Sequence, residues 1–412
     1  MEEWRGSAEL PGDTVYGAPR LRNFRDLSRR LIQGENVEWV LGFIGDSWVR
    51  GSGRPGTHAE ARTEEHTEAH TAPTPGDPAP ARYFMPALSA SLQRRYGDAG
   101  GGWCGLSYAT SDERRGGSAN SNRLYQEGTG SWVTHTNNRP TPDLCTSVSD
   151  VPGDSIRVTN AVGPTSAVSL HYLPGGRIDY RWNGGPWTRL ELKHEARPCI
   201  AALTGFPRQG GWVLELRVVS GPVELAGIDH RSGTSGIRIH NFGAGGSTAR
   251  HWTDVDAATW RNAFASFGCH TVLTLFGTND QKHLTPRVHR QCLEQLTREI
   301  RLAAPEADIG LGTSPESGDS AEPRRSRPMH LYRAQARSLA ESAALCHIDL
   351  QPAFGDVAQY RYSGSRPLMD ESLIHPSVEG SRVIEALYSN ILSLRVPESG
   401  IPDSPGASLS CG

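Results

Sequence analysis

Hydrophobic and polar positions along the chain fall into two textures. In the first, short apolar runs alternate with stretches of helical spacing. Residues 40–44 (Val-Leu-Gly-Phe-Ile) form one such run, and it ends abruptly in Gly45-Asp46-Ser47. An uninterrupted apolar run of strand length suits a parallel strand covered on both faces. Similar runs at 237–241, 271–276, 309–312 and 346–350 predict four more strands. Apolar residues at helical spacing predict helices over 21–32, 83–96, 288–303, 329–344 and 377–394. The stretch Asn241-Phe242-Gly243-Ala244-Gly245-Gly246-Ser247-Thr248 reads as a Gly-rich turn opening a further helix. Strands alternating with helices predict a parallel sheet whose strand ends share one edge.

The second texture fills residues 100–231. Short β-prone runs at 155–160, 167–173, 177–182, 188–193, 211–219 and 223–229 alternate with Gly, Pro, Asn and Asp turns. Closely spaced short strands of this kind predict a β-sandwich or jelly roll. Trp103, Trp132, Trp182, Trp187 and Trp212 fall in it, suited either to stacking on sugar rings or to filling a core. Three segments lack a core-forming pattern. Residues 1–20 are rich in Gly and Pro and read as poorly ordered. Residues 51–82 hold Pro, Thr, Ala, Glu and His with almost no apolar side chains and read as a disordered loop. Within that loop His66 and His70 are spaced for one helical face, but their setting is that of a solvated polar loop. Residues 397–412 read as a tail. The expected organisation is a discontinuous α/β domain (1–99 and 232–396) with an inserted β-domain (100–231).

Composition narrows the function classes. The chain has 412 residues, enough for two domains. A net charge of −3 gives no basic footprint for nucleic acid. The apolar runs are far too short to span a membrane. The sequence opens Met1-Glu2-Glu3-Trp4 without a basic or apolar leader, so a cytoplasmic location is expected as written. Lys193 and Lys282 are the only lysines, a bias that reads as coding preference rather than function. The seven cysteines are odd in number and none is paired at zinc-site spacing, so reduced buried thiols are expected. A Cys104–Cys145 bridge stays open.

The chemistry concentrates where strands or loops feed one end of the sheet. Gly45-Asp46-Ser47, the glycines after Asn241, Gly277-Thr278-Asn279-Asp280 and Ile374-His375-Pro376 all occupy such positions. A serine, a histidine, an amide side chain and exposed backbone amides are the parts of an acyl-transfer site. Each motif alone has a plain structural reading. Asp46 or Ser47 suits a helix cap, Asn279 likewise, the glycines a tight turn, and His375 a core position beside a Pro-started helix.

Together, and in this order along the chain, the four motifs resemble those of the SGNH (GDSL-type) hydrolase superfamily. The resemblance covers about 33–52 and 233–394. It implies a flavodoxin-like α/β/α fold with no metal or organic cofactor, to which the β-sandwich is added. It casts Ser47 as nucleophile and His375 as general base. It makes the backbone N–H groups of Ser47 and Gly246 and the side chain of Asn279 the oxyanion donors. The plan is similar to that of bacterial esterases that deacetylate peptidoglycan or plant polysaccharide and carry a β-domain. The implied activity is hydrolysis of an O-acetyl or other short acyl ester on a carbohydrate or glycoconjugate. An acyltransferase using the same acyl-enzyme and a non-catalytic glycan-binding protein are the alternatives. One departure stands out. The family's last block is Asp-x-x-His, but Ser372 stands three before His375. Asp370 is the favoured orienting acid, with Glu371 or a Ser–His dyad as the other possibilities. The sequence is silent on the natural ester and the oligomeric state.

Overall fold

The structure is a computed structural model that describes residues 14–51, 84–107, 118–119, 124–161, 163–192, 199–317, 327–355, 368–370 and 373–393. The polar segment after Gly51 and the 397–412 tail lie outside the described residues.

Six strands form one sheet, in the spatial order Val15–Tyr16, Cys346–Asp349, Asp308–Thr313, Thr271–Phe276, Glu38–Gly45, Gly236–Gly243. The last five run parallel. Counted along the chain, they lie in the flavodoxin-like order 2-1-3-4-5. Alternation along Glu38–Gly45 explains the layering. Trp39, Leu41 and Phe43 enter a core shared with the helices Arg22–Ile32, Phe84–Tyr96 and Val378–Ile391. Val40 and Ile44 enter the opposite core, shared with Ala257–Ala265, Pro286–Ala303 and Met329–Ser342. Seven of the strand's eight residues are buried, as an apolar run without polar alternation requires. The aromatic trio Phe43, Phe84 and Tyr388 ties the first strand to two helices, with ring centroids 5.3–6.2 Å apart.

Three expectations need correction. The sheet is mixed, because Val15–Tyr16 pairs antiparallel with Cys346–Asp349. That strand lies inside the segment read as poorly ordered. It is held there by the Arg20 guanidinium, which donates to Ala340 O and Leu345 O at 2.8 and 2.9 Å. The Gly-rich turn after Asn241 does not open a helix directly, since the strand runs on to Gly243 and the next helix starts at His251. The helix Ala257–Ala265, with Trp260 and Phe264 buried, was not anticipated because it is too short for its spacing to stand out.

Residues 102–231 contribute two antiparallel six-stranded sheets. One has the order Thr188–Glu191, Arg177–Trp182, Trp212–Ser220, Ser155–Asn160, Leu124–Thr129, Ser118–Ala119. The other runs Cys199–Leu203, Ala167–Leu173, Val223–Arg231, Thr146–Ser149, Val133–His135, with Gly102–Gly105 also paired to Val223–Arg231. Inward side chains of both, among them Ile156, Val158, Leu170, Leu214, Leu216 and Leu225, share one buried cluster. Of the tryptophans, Trp103 and Trp212 are buried. Trp187 lies under the guanidinium groups of Arg181 and Arg217, 4.3 and 4.0 Å from its ring centroid. The six described cysteines are free and buried, Cys104 and Cys145 included.

A buried charge network joins the antiparallel region to the parallel sheet. Arg238, on the edge strand Gly236–Gly243, donates to both oxygens of Asp229 at 3.0 and 3.1 Å and also to Glu38 at 2.6 Å. Burial alone would raise the Asp229 carboxyl, but the guanidinium groups of Arg238 and Arg231 hold it down at about 2. Burial, with Arg238 next to it, keeps the His240 imidazole neutral well below its ordinary range. Its Nδ1 accepts from Trp103 N at 3.0 Å. Removing one partner of a buried pair strands the other charge. Arg238→Met is therefore expected to lower the unfolding free energy by about 3–5 kcal/mol, read by urea denaturation. Arg238→Met with Asp229→Leu should recover much of that loss. A single variant as stable as the wild type would show that the network is not what joins the two parts.

Candidate active site

The site is assembled at the carboxyl ends of three adjacent strands, two of which, Glu38–Gly45 and Thr271–Phe276, flank the point where strand order reverses. Ligands bind at that crevice in open α/β sheets. Glu38–Gly45 delivers Ser47, and its neighbours Gly236–Gly243 and Thr271–Phe276 deliver the segments carrying Gly246 and Asn279. Gly45 is required by space: a Cβ there would lie 2.5 Å from both Leu275 O and the Val49 side chain. The chain then turns through Asp46 into the short helix Ser47–Arg50. Asp46 does cap this helix, accepting from Trp48 N at 2.9 Å. The capping reading and the chemical reading of Gly-Asp-Ser thus hold together.

Ser47 Oγ lies 2.9 Å from His375 Nε2. His375 arrives on a loop that folds back on itself. Met369 bridges antiparallel to Pro376, Asp370 N donates to His375 O, and Ser377 N donates to Leu368 O, both at 2.9 Å. Met369 is buried and Leu368 packs on the same core. Leu373 completes the reversal with φ of 53°, a left-handed backbone costly for leucine. This fold-back brings Asp370 Oδ2 to 3.9 Å from His375 Nδ1, beyond hydrogen-bond length but within ionic contact. Glu371 and Ser372 lie outside the described residues. Trp48 Nε1 donates to Ile374 O at 3.1 Å, so the residue after Ser47 also secures the residue before His375.

Asn279 does not cap its helix; Gly277 occupies that position. The Asn279 amide instead donates to Ser247 O at 3.0 Å and reaches Asp46 Oδ2 at 3.5 Å. The contact with Ser247 O is a full hydrogen bond, and that with Asp46, at the outer limit of length, is a weak one. Asp280, next in sequence, is fully buried and holds the same loop through Ala249 N at 3.0 Å and His289 Nδ1 at 2.8 Å. Gly246 has φ of 73°, and the carbonyl of Gly245 just before it accepts from Asn137 Nδ2 at 2.9 Å. Among the described residues no group of three or more His, Cys, Asp or Glu is placed to hold a metal ion.

The structure therefore brings Ser47 and His375 into contact. It puts Asp370 beside the imidazole and the Asn279 side chain against the loop that carries Gly246. Three contributors were missed from sequence. Trp48 reads there as an ordinary apolar residue, Asp280 as part of a motif known for its asparagine, and Asn137 as one of many turn residues in a β-rich stretch. Only the position of Asp280, beside Asn279, carried any signal.

Asp46 has an electrostatic consequence. Burial pushes its carboxyl up to about 8 from its ordinary 3.8, aided by the nearby Asp280, against the opposing bond from Trp48 N. With its carboxyl raised to about 8, Asp46 is held mainly in the neutral form near pH 7.

Residues 224–383 match the GDSL-like lipase/acylhydrolase family model. The matched stretch contains Gly246, Asn279 and His375 and leaves out Ser47. A sequence search of the curated proteins finds no match. Among solved structures, the fold resembles that of a peptidoglycan O-acetylesterase, with TM-score 0.65 and 20% identity over 91% of this chain and 96% of that one. A family two carbohydrate esterase from Clostridium thermocellum aligns at 11% identity over 63% of this chain and 97% of that one, with TM-score 0.29. An acetylxylan esterase from Geobacillus stearothermophilus aligns at 23% identity over 38% and 73%, with TM-score 0.31.

Because the Asp46 carboxyl titrates higher folded than unfolded, its contribution to stability is full below about pH 4 and is lost as pH rises through about 8. Asp46→Asn should remove that decline. The gap in unfolding free energy between wild type and variant is expected to shift in the variant's favour from pH 5 to pH 9. A gap that does not change with pH would show that Asp46 is not held protonated.

Proposed function

We propose that this chain, whose residues 224–383 match the GDSL-like lipase/acylhydrolase family model, is an SGNH (GDSL-type) esterase that works through an acyl-enzyme on Ser47. The proposed substrate is an O-acetyl or other short-chain acyl ester on a carbohydrate or glycoconjugate. The observation that carries the mechanism is the 2.9 Å contact of Ser47 Oγ with His375 Nε2 at the sheet's switch point. The hydroxyl donates to Nε2, so Nδ1 bears the other proton and faces Asp370. Ser47 attacks the ester carbonyl as His375 takes its proton. Negative charge on the former carbonyl oxygen is met by the N–H groups of Ser47 and Gly246 and the side-chain amide of Asn279. His375 then protonates the leaving alcohol. It next activates water, which releases the acid and restores Ser47.

Asp370 is the orienting acid in this reading. Its 3.9 Å separation from Nδ1 suits a free enzyme, in which catalytic contacts are often long and shorten when substrate binds. Its charge stabilises the imidazolium formed during attack. Two considerations favour a glycan ester. Residues 100–231, read as an inserted β-sandwich domain with a jelly-roll-like plan, resemble an accessory domain of the kind that accompanies polysaccharide-active enzymes. The fold likeness to a peptidoglycan O-acetylesterase also extends over both parts of the chain. A short acyl group fits because no long apolar stretch adjoins the motifs to house a lipid tail. No metal or organic cofactor enters the proposed steps.

Two measurements test this. A fluorophosphonate should label Ser47, and Ser47→Ala should abolish hydrolysis of 4-nitrophenyl acetate while thermal unfolding stays unchanged. Labelling elsewhere with an active Ser47→Ala would sink the mechanism. Asp370→Asn should lower kcat by orders of magnitude, on the scale of about 10⁴ seen when a triad histidine is held in the wrong tautomer. Near-normal kcat in Asp370→Asn would leave Ser47 and His375 in place and remove Asp370.

A further inference from the structure

We infer that Asn137, from the β-rich region, is a positioning residue that fixes the oxyanion-binding peptide of the hydrolase. The inference rests on the reading of Gly246 N–H as an oxyanion donor. Asn137 follows the strand Val133–His135, on a loop that returns to Thr146–Ser149. Its Nδ2 donates to Gly245 O at 2.9 Å. Gly245 C=O and Gly246 N–H belong to one peptide unit. In a trans peptide these two groups point in opposite directions within a rigid plane, and the chain holds no cis bond here. A donor that clamps the carbonyl on one side therefore aims the N–H on the other. The same hydrogen bond draws electron density toward the carbonyl oxygen, making the N–H a better donor.

The clamp answers a specific need. The peptide joins two glycines, and Gly246 has φ of 73°. Glycine populates both signs of φ with similar ease, so without an external contact this peptide can rotate away from the productive orientation. Asn279 restrains the loop two residues further on, at Ser247 O, and Ala244 N donates to Gly45 O at 2.8 Å on the other side. Between those anchors Asn137 supplies the side-chain contact to the Gly245–Gly246 unit. The orientation of its amide is unambiguous, because Gly245 O accepts and only Nδ2 can donate. Its Oδ1 is buried without a hydrogen-bond partner among the described residues.

The Asn137 loop is itself well seated. Asn137 has φ of 62°, in a region asparagine tolerates better than most residues. Further along the loop, Asp143 accepts from Trp103 Nε1 at 3.0 Å, and Cys145 Sγ lies 3.7 Å from the buried guanidinium of Arg50, at the end of the Ser47 helix. The loop thus grips both the serine turn and the oxyanion turn.

The test uses the full chain with 4-nitrophenyl acetate as substrate. Rates are normalised to active sites titrated with a fluorophosphonate, so that any misfolded fraction drops out. Removing a direct oxyanion donor lowers kcat by about 10²–10³, and loss of a positioning contact is expected to cost less, about tenfold. Asn137→Ala and the near-isosteric Asn137→Asp, which lacks the donor, should both lower kcat by that factor with KM within twofold of wild type. The affinity for a boronic acid that forms a tetrahedral adduct on Ser47 should fall in parallel, which a merely structural role would not produce. Normal kcat in both variants, or a loss confined to KM, overturns the inference. Failure of the wild type to label at Ser47 would instead overturn the underlying active-site reading.

Discussion

Everything at the site depends on where the strand Glu38–Gly45 is forced to end. The strand is hydrogen-bonded on both sides, to Gly236–Gly243 and to Thr271–Phe276, and its side chains fill both flanking cores. A one-residue slip would carry Trp39, Leu41 and Phe43 to the wrong face, so the register is fixed by burial. With Gly45 opposite Gly243 and Leu275, three segments leave the sheet at one level. Ser47, the Gly245–Gly246 peptide and Asn279 are neighbours because of that common exit. His375 is added from the far end of the sequence, on the loop before a helix whose Tyr388 packs against Phe43 of the same strand. One strand therefore sets the position of the serine directly and that of the histidine through an aromatic contact.

The antiparallel region is bound to this framework in two ways that differ in kind. On the edge of the parallel sheet, Arg238 and Asp229 form a buried ion pair whose members lie in different parts of the chain's architecture. Such a pair adds little net stability over apolar packing, yet it penalises misdocking heavily because either charge alone would be stranded. At the end of the sheet that carries Ser47 the contacts are made by neutral or weakly polar groups on one loop, through Asn137 and Cys145. The first device fixes how the two parts sit, and the second brings a loop of one to the working face of the other.

Much of this was legible in the sequence, and the part that was not has a common cause. Buried parallel strands announce themselves as apolar runs, so 271–276 was located to the residue and the others to within two or three. The strands 155–160, 167–173 and 177–182 were equally plain, since apolar and polar residues alternate along them. By contrast Gly102–Gly105, Val133–His135 and Thr146–Ser149 are short, and Cys199–Leu203 has only its end residues buried. Their pairing is set by partners far away in sequence, so no local pattern marks them. The same holds for the site. Ser47, Gly246, Asn279 and His375 stand in motifs that local spacing exposes. Asp370 was the favoured acid beside His375 on the expectation of a loop that doubles back, anchored by the apolar Leu368 and Met369; the left-handed Leu373 that completes the reversal had no such signal. The reach of Asn137 depends on contact between the two parts, a tertiary fact without a periodic signature.

The position of the β-rich region, between the first and second parallel strands in chain order, also bears on how the molecule comes into being. Glu38–Gly45 leaves the ribosome early, but its partner Gly236–Gly243 follows only after a further 190 or so residues. At a synthesis rate of 5–20 residues per second, this interval is roughly 10–40 s. Throughout it, this apolar strand has neither of its parallel neighbours to pair with, and parallel pairing across so long a separation is intrinsically slow. The helices Arg22–Ile32 and Phe84–Tyr96 can shelter one of its faces in the meantime, because they precede the β-rich region. Its other face and both of its backbone edges wait. Biogenesis, more than the finished fold, is where this arrangement exposes the chain to aggregation.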